Sequence, residues 1–186
     1  MGPNTPSPDR EARFAALYNT AYSDVLRFVR RRAAADSAED LVHESFLVVW
    51  RRMDDVPHDH DSARAWLFGI ARNCMLNAQR GDIRRNELNV RITADLAIAG
   101  DPAEIESTLR LGLAAAWPRL SASEQEVLSL AIWEDLPSQH AGKVLGISAS
   151  AYRIRLHRAR AALRRLIDTT PHPVIAGERL ATEQTI

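Results

Sequence analysis

The chain has 186 residues, enough for one domain or two small ones, and its 24 basic side chains balance its 24 acidic ones. A protein that binds DNA by charge alone is usually basic overall, so this balance argues against that class. The charges are segregated, however: residues 36–61 hold eight acids and two arginines, whereas residues 148–165 hold six arginines and no acid. This pattern indicates two surfaces of opposite sign that bind different partners.

The composition excludes several other classes. Cys74 is the one cysteine, which excludes an internal disulfide and a cysteine-based zinc site. Residues 1–10 are polar and proline-rich, unlike a signal peptide, and are expected to be disordered. No apolar run approaches the roughly 18 residues of a membrane span. We therefore expect a cytoplasmic protein without membrane insertion.

A first helix is predicted from Glu11 to about Ala34, because apolar residues recur there near helical spacing. It ends in the three consecutive arginines 30–32. These cations suit the C-terminus of a helix, where the helix dipole favours positive charge. They suit a contact with DNA phosphate equally well.

A second helix is predicted to begin at Asp36 or Ser37, with Asp40 placed as in a capping box, and to run to about Met53. One face is apolar, and the remaining strip holds Asp40, His43, Glu44, Leu47 and Arg51. A leucine among acids on an exposed strip fits a docking surface for a basic partner. The alternative is a solvated strip with one stray leucine.

The polar loop 54–61 contains His58, His60 and Asp61, residue types that bind metals. A metal site needs fixed geometry and further partners that orient the ligands, and this loop looks flexible. No metal site is therefore predicted.

Ser62 is predicted to cap a third helix that extends to about Gln79. Its inward residues are predicted to be Trp66, Leu67, Ile70, Ala71, Cys74 and Ala78, and its outward residues Gly69, Arg72, Asn73, Leu76 and Arg80. A glycine on the outer face costs about 1 kcal/mol of helix propensity, but it lets another backbone approach closely. Cys74 is interpreted as a small hydrophobic residue of the inner face.

Residues 81–106 lose the periodicity and are predicted to be a linker. A helix resumes over about 105–117. Ser121 and Glu124 then form a capping box for a helix over about 122–134, with inner residues Val127, Leu128, Ala131 and Ile132.

The stretch 136–167 looks like two helices joined by a tight turn at Gly146, with Ser148 as the N-cap of the second helix. One arc of that helix is apolar. The opposite face holds Ser150, Ala151, Ile154, His157 and Arg158, and one flank holds Arg153, Arg160 and Arg164. This arrangement is typical of a DNA-binding helix-turn-helix, with an ordinary solvated basic helix as the alternative.

No segment shows strand alternation, so the predicted fold is all-α. Two small helical domains, 11–80 and 107–167, are joined by the flexible linker 81–106, and the second domain contains the helix-turn-helix. The tail 168–186 is predicted to lack fixed structure.

Three stretches together resemble one family. AEDLVHESFLVVW (38–50) is similar to the clamp-binding helix of extracytoplasmic-function (ECF) sigma factors, and ARAWLFGIARNCMLNAQR (63–80) is similar to their promoter-melting helix. The segment 120–166 is similar to their C-terminal helix-turn-helix. The resemblance covers roughly residues 11–167, in the order of the family.

The resemblance implies a dissociable subunit of bacterial RNA polymerase that recognises two promoter elements, opens the downstream one and carries out no catalysis itself. The implied partners are promoter DNA, the β subunit, the coiled coil of the β′ clamp and, in many family members, an anti-sigma factor. No cofactor and no small-molecule substrate are implied. Together with the exposed faces, the resemblance assigns core-polymerase binding to Asp40, His43, Glu44 and Leu47. It assigns −10 DNA binding to Gly69, Arg72, Asn73 and Arg80, and −35 DNA binding to Ser150, Arg153, Ile154, His157, Arg158 and Arg160.

The sequence departs from the family pattern at four positions. His43 stands where glutamine is usual, Gly142 replaces an alanine of the helix-turn-helix, and Pro137 replaces a capping serine. Ile154 replaces a small polar residue on the reading face, which bears on the upstream sequence preference.

Two other functions compete with that of a sigma factor. A helix-turn-helix regulator with an N-terminal partner-binding lobe would usually dimerise to read two half-sites. A metal-dependent nuclease would need carboxylates or histidines clustered in a cleft, whereas the acids here lie along helix faces and in a loop. A sigma factor is the leading interpretation.

Overall fold

The computed structural model describes residues 8–79 and 112–169. Within these ranges the chain is helical and contains no strand, as the sequence predicts. The linker 81–106, the predicted DNA contact Arg80 and residues 170–186 of the predicted tail lie outside the described residues.

The described helices fall into two lobes. The N-terminal lobe contains α1 (Pro8–Arg30), α2 (Ala38–Arg51), a 3-10 turn (Met53–Asp55) and α3 (His60–Ala78). The C-terminal lobe contains helical residues 112–116, a 3-10 turn (Trp117–Arg119), α4 (Ala122–Ile132), α5 (Ser138–Leu145) and α6 (Ala149–Asp168).

Helix α1 is displaced along the sequence from its predicted bounds. It begins at Pro8, so residues 8–10 are helical and not disordered, and it ends at Arg30 instead of about Ala34. Proline suits the first turn of a helix because its missing N–H has no partner there in any case. The acids Asp9 and Glu11 in that first turn also complement the helix dipole.

Two predicted capping interactions do not form, although Ser37 does occupy the N-cap position of α2. The hydroxyl of Ser37 donates back to the Ala34 carbonyl at 3.2 Å and makes no cap bond, so the capping box with Asp40 does not form. The cap of α3 is Asp59, whose carboxylate accepts a hydrogen bond from the N–H of Ser62 at 2.8 Å. This bond holds the pKa of Asp59 below its usual value.

Aromatic side chains fix how α1, α2 and α3 pack. The rings of Phe28 and Phe68, both fully buried, stack with their centroids 4.6 Å apart and join α1 to α3. The rings of Tyr18 and Phe46 lie 4.7 Å apart and join α1 to α2. Because the apolar face of α2 is occupied in this way, its polar strip is turned away from the lobe.

The helix-turn-helix has the predicted turn and caps. Gly146 adopts a left-handed conformation with φ of 68°. The N–H of Ile147 donates to the carbonyl of Gly142 at 2.9 Å and that of Gly146 to Lys143 at 3.2 Å, which together form a Schellman motif. Ser148 then caps α6 by accepting a hydrogen bond from the Ala151 N–H at 3.1 Å.

The unusual Gly142 is explained by the same turn. A Cβ added at this position would lie 2.8 Å from the carbonyl oxygen of Ile147, a separation that real Cβ atoms essentially never show. Glycine therefore allows α5 and the start of α6 to approach more closely than an alanine would permit.

Helix α4 has the predicted capping box and part of the predicted inner face, since Val127 and Leu128 are buried. The side chains and backbones of Ser121 and Glu124 form both cap bonds. Ile132 was expected inside but is 55% exposed. The buried set instead includes polar side chains, namely Gln125, Glu126 and Ser129, and Glu134 just beyond the helix.

The two lobes touch along α3, which packs against α1 and α2 on one side and against α5 on another. Gly69 lies at this contact, where a Cβ would be 3.9 Å from the Cα of Val144. The backbone of the C-terminal lobe therefore lies at ordinary van der Waals distance from this position, which was predicted to face outward.

We predict that Gly146→Ala lowers the free energy of unfolding by about 1–2 kcal/mol, because a Cβ disfavours the left-handed conformation. Space is not the cause, since no atom lies within 4 Å of a Cβ at this position. Urea denaturation followed by circular dichroism measures the change. Gly146→Asn is the control and should lose less, because asparagine tolerates this conformation. An alanine variant as stable as the wild type would contradict the turn.

Candidate binding surfaces

The acidic strip on α2 consists of Asp40, His43, Glu44 and Leu47, and all four side chains are exposed. Leu47 is 57% exposed, one of three large apolar side chains that stand out on the described surface. The opposite side of α2 is buried, including Val42 and Phe46. The structure therefore brings the four predicted residues together on one accessible face.

The basic face on α6 consists of Ser150, Arg153, Ile154, His157, Arg158 and Arg160, and all six side chains are exposed. Ile154 is 55% exposed in their midst. Within the two described ranges, none of these arginines forms an ion pair with an acid. The face also includes Arg155, an exposed cation that the sequence analysis did not single out.

The other side of α6 anchors the basic face to the C-terminal lobe. Tyr152, Leu156 and Ala159 are buried. The Tyr152 hydroxyl donates to the backbone carbonyl of Val127 on α4 at 2.9 Å. Burial raises the pKa of Tyr152 to about 12, so the phenol stays protonated and remains a donor. This anchor fixes which side of α6 faces outward.

The predicted outer face of α3 is divided. Asn73 is exposed, as expected. Gly69 and Arg72 were expected to face solvent, but they face the C-terminal lobe instead. The Arg72 guanidinium binds both carboxylate oxygens of Glu126, with Nε–Oε1 at 2.6 Å and Nη2–Oε2 at 3.1 Å. The side chains of Arg72 and Glu126 are 13% and 5% exposed.

The arginines at the end of α1 also meet the C-terminal lobe. Arg32 is fully buried and donates to Glu134 at 3.2 Å and to the Ser129 hydroxyl at 2.6 Å. Arg31 pairs with the same carboxylate at 3.3 Å. Burial lowers the pKa of Arg32 and Glu134 opposes that effect. Of the run 30–32, only Arg30 is exposed, and it pairs with Glu39.

Arg64 on α3 completes this contact. Its Nη1 donates to the backbone carbonyl of Glu134 at 2.8 Å, and its Nε donates to the Asp24 carboxylate at 3.0 Å. Ser62, two residues earlier, lies 3.2 Å from the ring of His140 on α5. The first half of α3 is therefore tied to the C-terminal lobe by polar contacts.

A cavity of about 330 Å³ lies between α1, the segment after α2 and the start of α3. Its polar lining includes Arg13, Asp24, His58, His60 and Arg64. Asn73 does not line it. Nine residues separate Asn73 from Arg64 on α3, which corresponds to about 13 Å along the helix axis.

The acids Glu126 and Glu134 are the residues that sequence reasoning missed. A polar stripe on a helix is ordinarily solvated, so neither acid carried a signal of burial. The one available indication was Gly69, which predicted a close backbone without identifying it.

The histidines of the loop before α3 do not assemble a metal site. In residues 8–79 and 112–169, no group of three or more histidine, cysteine or acidic side chains could hold a metal ion. Over the same ranges, no helix has both the length and the apolar character needed to cross a membrane.

Comparison with known proteins identifies both lobes. Residues 17–85 match the family described as Sigma-70 region 2, and residues 110–163 match Sigma-70, region 4. The ECF RNA polymerase sigma factor SigL of Mycobacterium tuberculosis is 30% identical over 151 residues, which cover 80% of this chain and 85% of that protein. The RNA polymerase sigma factor CnrH of Cupriavidus metallidurans is 31% identical over 140 residues, covering 70% and 73%.

Solved structures give the same fold. The complex of CnrH with the cytosolic domain of CnrY matches with a TM-score of 0.58 and 25% identity, covering 87% of this chain and 91% of that one. The sigma factor RpoE of Bartonella quintana, in complex with the anti-sigma factor NepR, matches with a TM-score of 0.59 at 21% identity. It covers 85% of this chain and 98% of that one. The two matched regions and their order show that this chain belongs to the ECF sigma factors, which initiate transcription with RNA polymerase.

Proposed function

We propose that this sigma factor binds core RNA polymerase through the acidic strip of α2, contacts the −10 element through α3 and reads the −35 element through the basic face of α6. The observation that carries the proposal is the separation of opposite charges onto two exposed helix faces. The matches over 17–85 and 110–163 support functional domains at 11–80 and 107–167. Because its partners would be polymerase and promoter DNA, we propose that the chain works in the cytoplasm.

The acidic strip fits the coiled coil of the β′ clamp by its chemistry. Asp40 and Glu44 lie one helical turn apart on the same side of α2. Leu47 adds an apolar side chain beside them, which can be desolvated by a partner. Acids around an exposed leucine favour a basic partner that also has apolar side chains.

The basic face fits duplex DNA. Cations there are free of carboxylate partners within the described chain, so they can neutralise phosphates. Arg158 lies on the outermost side, where its guanidinium can bind O6 and N7 of one guanine. Ile154 cannot donate a hydrogen bond and fits a thymine methyl instead. Arg153 and Arg160 lie on a flank, where phosphates are expected.

The end of α3 and the cavity before it are two separate candidates for handling a base that leaves the DNA stack. Asn73 offers a hydrogen-bond donor and an acceptor at an exposed position. His60 and Arg64 line the cavity. Because Asn73 lies outside that cavity, we propose that it contacts the separated strand beside the pocket.

We also propose that a partner protein, an anti-sigma factor, binds this chain and prevents it from binding polymerase. The CnrH and RpoE structures each hold a partner, CnrY and the anti-sigma factor NepR respectively. A comparable anti-sigma factor for this chain would have to compete for the surfaces described above.

Run-off transcription tests the function as a whole. Purified chain and core polymerase, supplied with a panel of promoter fragments, should yield transcripts that core polymerase alone does not produce. Failure on every promoter that a known ECF sigma factor can serve would contradict the proposal.

We predict that Asp40→Arg with Glu44→Arg weakens core-polymerase binding at least about tenfold, since reversing charges at a complementary interface costs several kcal/mol. Fluorescence anisotropy with labelled chain measures the affinity. Asp9→Arg with Glu11→Arg is the control, because these exposed acids of α1 change the net charge equally. Equal losses in both variants would show that net charge, and not the strip, governs binding.

We predict that Asn73→Ala slows strand opening and leaves core binding unchanged, because an exposed asparagine stabilises the separated strand and not the fold. Permanganate footprinting over time measures opening. Asn19→Ala, at an exposed position of α1, should open DNA at the wild-type rate. Normal opening by the Asn73 variant would remove this residue from the proposed contact.

We predict that Arg158→Ala changes the preferred −35 sequence, whereas Arg160→Ala weakens binding to all sequences. A lost guanine contact costs about 1–3 kcal/mol at one base pair. A lost phosphate contact lowers the salt slope by about one unit. Selection from a randomised −35 element at two salt concentrations measures both effects, and each variant serves as the other's control. The reverse result would mean that α6 lies differently in the groove.

A further inference from the structure

We propose that Glu126 and Glu134 stand in for DNA phosphates in the closed chain. They bind the arginines of α3 and of the end of α1, so closing of the lobes and binding of promoter DNA use the same guanidinium groups. This inference rests on the proposed −10 role of α3. It means that Glu126 and Glu134 compete with promoter DNA for that surface.

The first contact is the pair between Arg72 and Glu126. Two parallel hydrogen bonds join the guanidinium to the carboxylate, which is the geometry that arginine also adopts with a phosphate. Arg72 is one of the residues predicted to contact the −10 element. With Arg72 bound in this way and Gly69 covered by the backbone of Val144, DNA cannot reach this part of α3.

The second contact centres on Glu134. Its carboxylate accepts from Arg31 and Arg32, and its backbone carbonyl accepts from Arg64. The arginines at residues 30–32 have the composition of a phosphate-binding segment. Two of them, Arg31 and Arg32, form ion pairs with the carboxylate of Glu134 instead. One acid thereby holds three arginines of the N-terminal lobe.

Ion pairs of this kind favour exchange over permanent closure. Burial removes hydration from both charges, so a buried pair gains little over the same two groups in water. Phosphates offer the arginines equivalent charge-assisted bonds, while Glu126 and Glu134 regain water when the lobes separate. When the lobes open and DNA binds, arginine–phosphate bonds therefore replace arginine–carboxylate bonds.

The test compares Glu126→Gln with Glu134→Gln, combined in the full chain, to the wild type in the absence of polymerase. Glutamine keeps the shape of each side chain and removes the charge, so the arginines lose their anionic partners. We expect a larger radius of gyration by small-angle X-ray scattering. We also expect about tenfold tighter binding to a fluorescent DNA bubble of random sequence, within the range usual for coupled sites.

The salt dependence gives a third measurement. Each arginine that moves from a carboxylate to a phosphate should steepen the slope of log affinity against log salt concentration by about one unit. Removing two negative charges could also strengthen the general attraction between the chain and DNA. In that case binding would tighten without new contacts near α3. Protection of α3 amides from hydrogen exchange by the DNA distinguishes these cases.

The matched control is Asp135→Asn with Asp168→Asn. Both acids are exposed, and the change in net charge is the same. Asp135 has a φ of 47°, a conformation that asparagine tolerates. The control should remain as compact as the wild type and should gain less affinity. If the glutamine pair fails to fold by circular dichroism, Glu126→Gln alone replaces it, because the contacts of Glu134 then remain, and Asp135→Asn alone is its charge-matched control.

The proposal requires both opening and a gain of DNA affinity beyond that of the control. A wild-type radius of gyration would overturn it, and so would an affinity no higher than that of the asparagine pair. Transcription with core polymerase is measured separately on the wild type. If the wild type transcribes but the glutamine variant shows neither opening nor tighter DNA binding, only this inference is refuted. If the wild type fails to transcribe, the proposed function is refuted.

Discussion

The burial of Arg32 is the constraint on which the arrangement of the two lobes depends. A fully buried guanidinium requires acceptors, because an uncompensated charge in the interior is costly. The backbone carbonyl of Phe28, the hydroxyl of Ser129 and the carboxylate of Glu134 supply them. Two of these three acceptors belong to the C-terminal lobe. Arg32, just after α1, therefore keeps these acceptors only while the C-terminal lobe stays in place, and its buried Nε has no hydrogen-bond partner among the described residues.

The same constraint explains why α4 is polar on a buried side. Its apolar residues Val127 and Leu128 pack within the C-terminal lobe, whereas Glu126 and Ser129 face the N-terminal lobe. A contact made of ion pairs and hydrogen bonds contributes little net free energy compared with an apolar interface of the same extent. The contact between the lobes is not wholly polar, because the buried apolar side chains of both lobes form one continuous cluster. The ion pairs are the part of this contact that other charged groups can replace.

The three predicted surfaces differ in how the closed arrangement treats them. The acidic strip of α2 and the basic face of α6 stay exposed. A partner can therefore bind either surface while the lobes remain in contact. The part of α3 that includes Gly69 and Arg72 is covered. In this arrangement the surfaces proposed for polymerase and for the upstream element are accessible, whereas Gly69 and Arg72 of the surface proposed for the downstream element are covered.

Local structure and family membership follow from short stretches of the sequence. Periodicity and turn residues predicted the all-α fold, the tight turn at Gly146 and the cap at Ser148, because these depend on residues within one or two helical turns. Sequence reasoning misplaced the cap of α3, where Asp59 competed with Ser62. The burial of Arg72 with Glu126, and of Arg32 with Glu134, depends on tertiary packing that the local pattern does not reveal. A charged residue has the same local pattern whether it faces water or an opposite charge about 50 or 100 residues away along the chain.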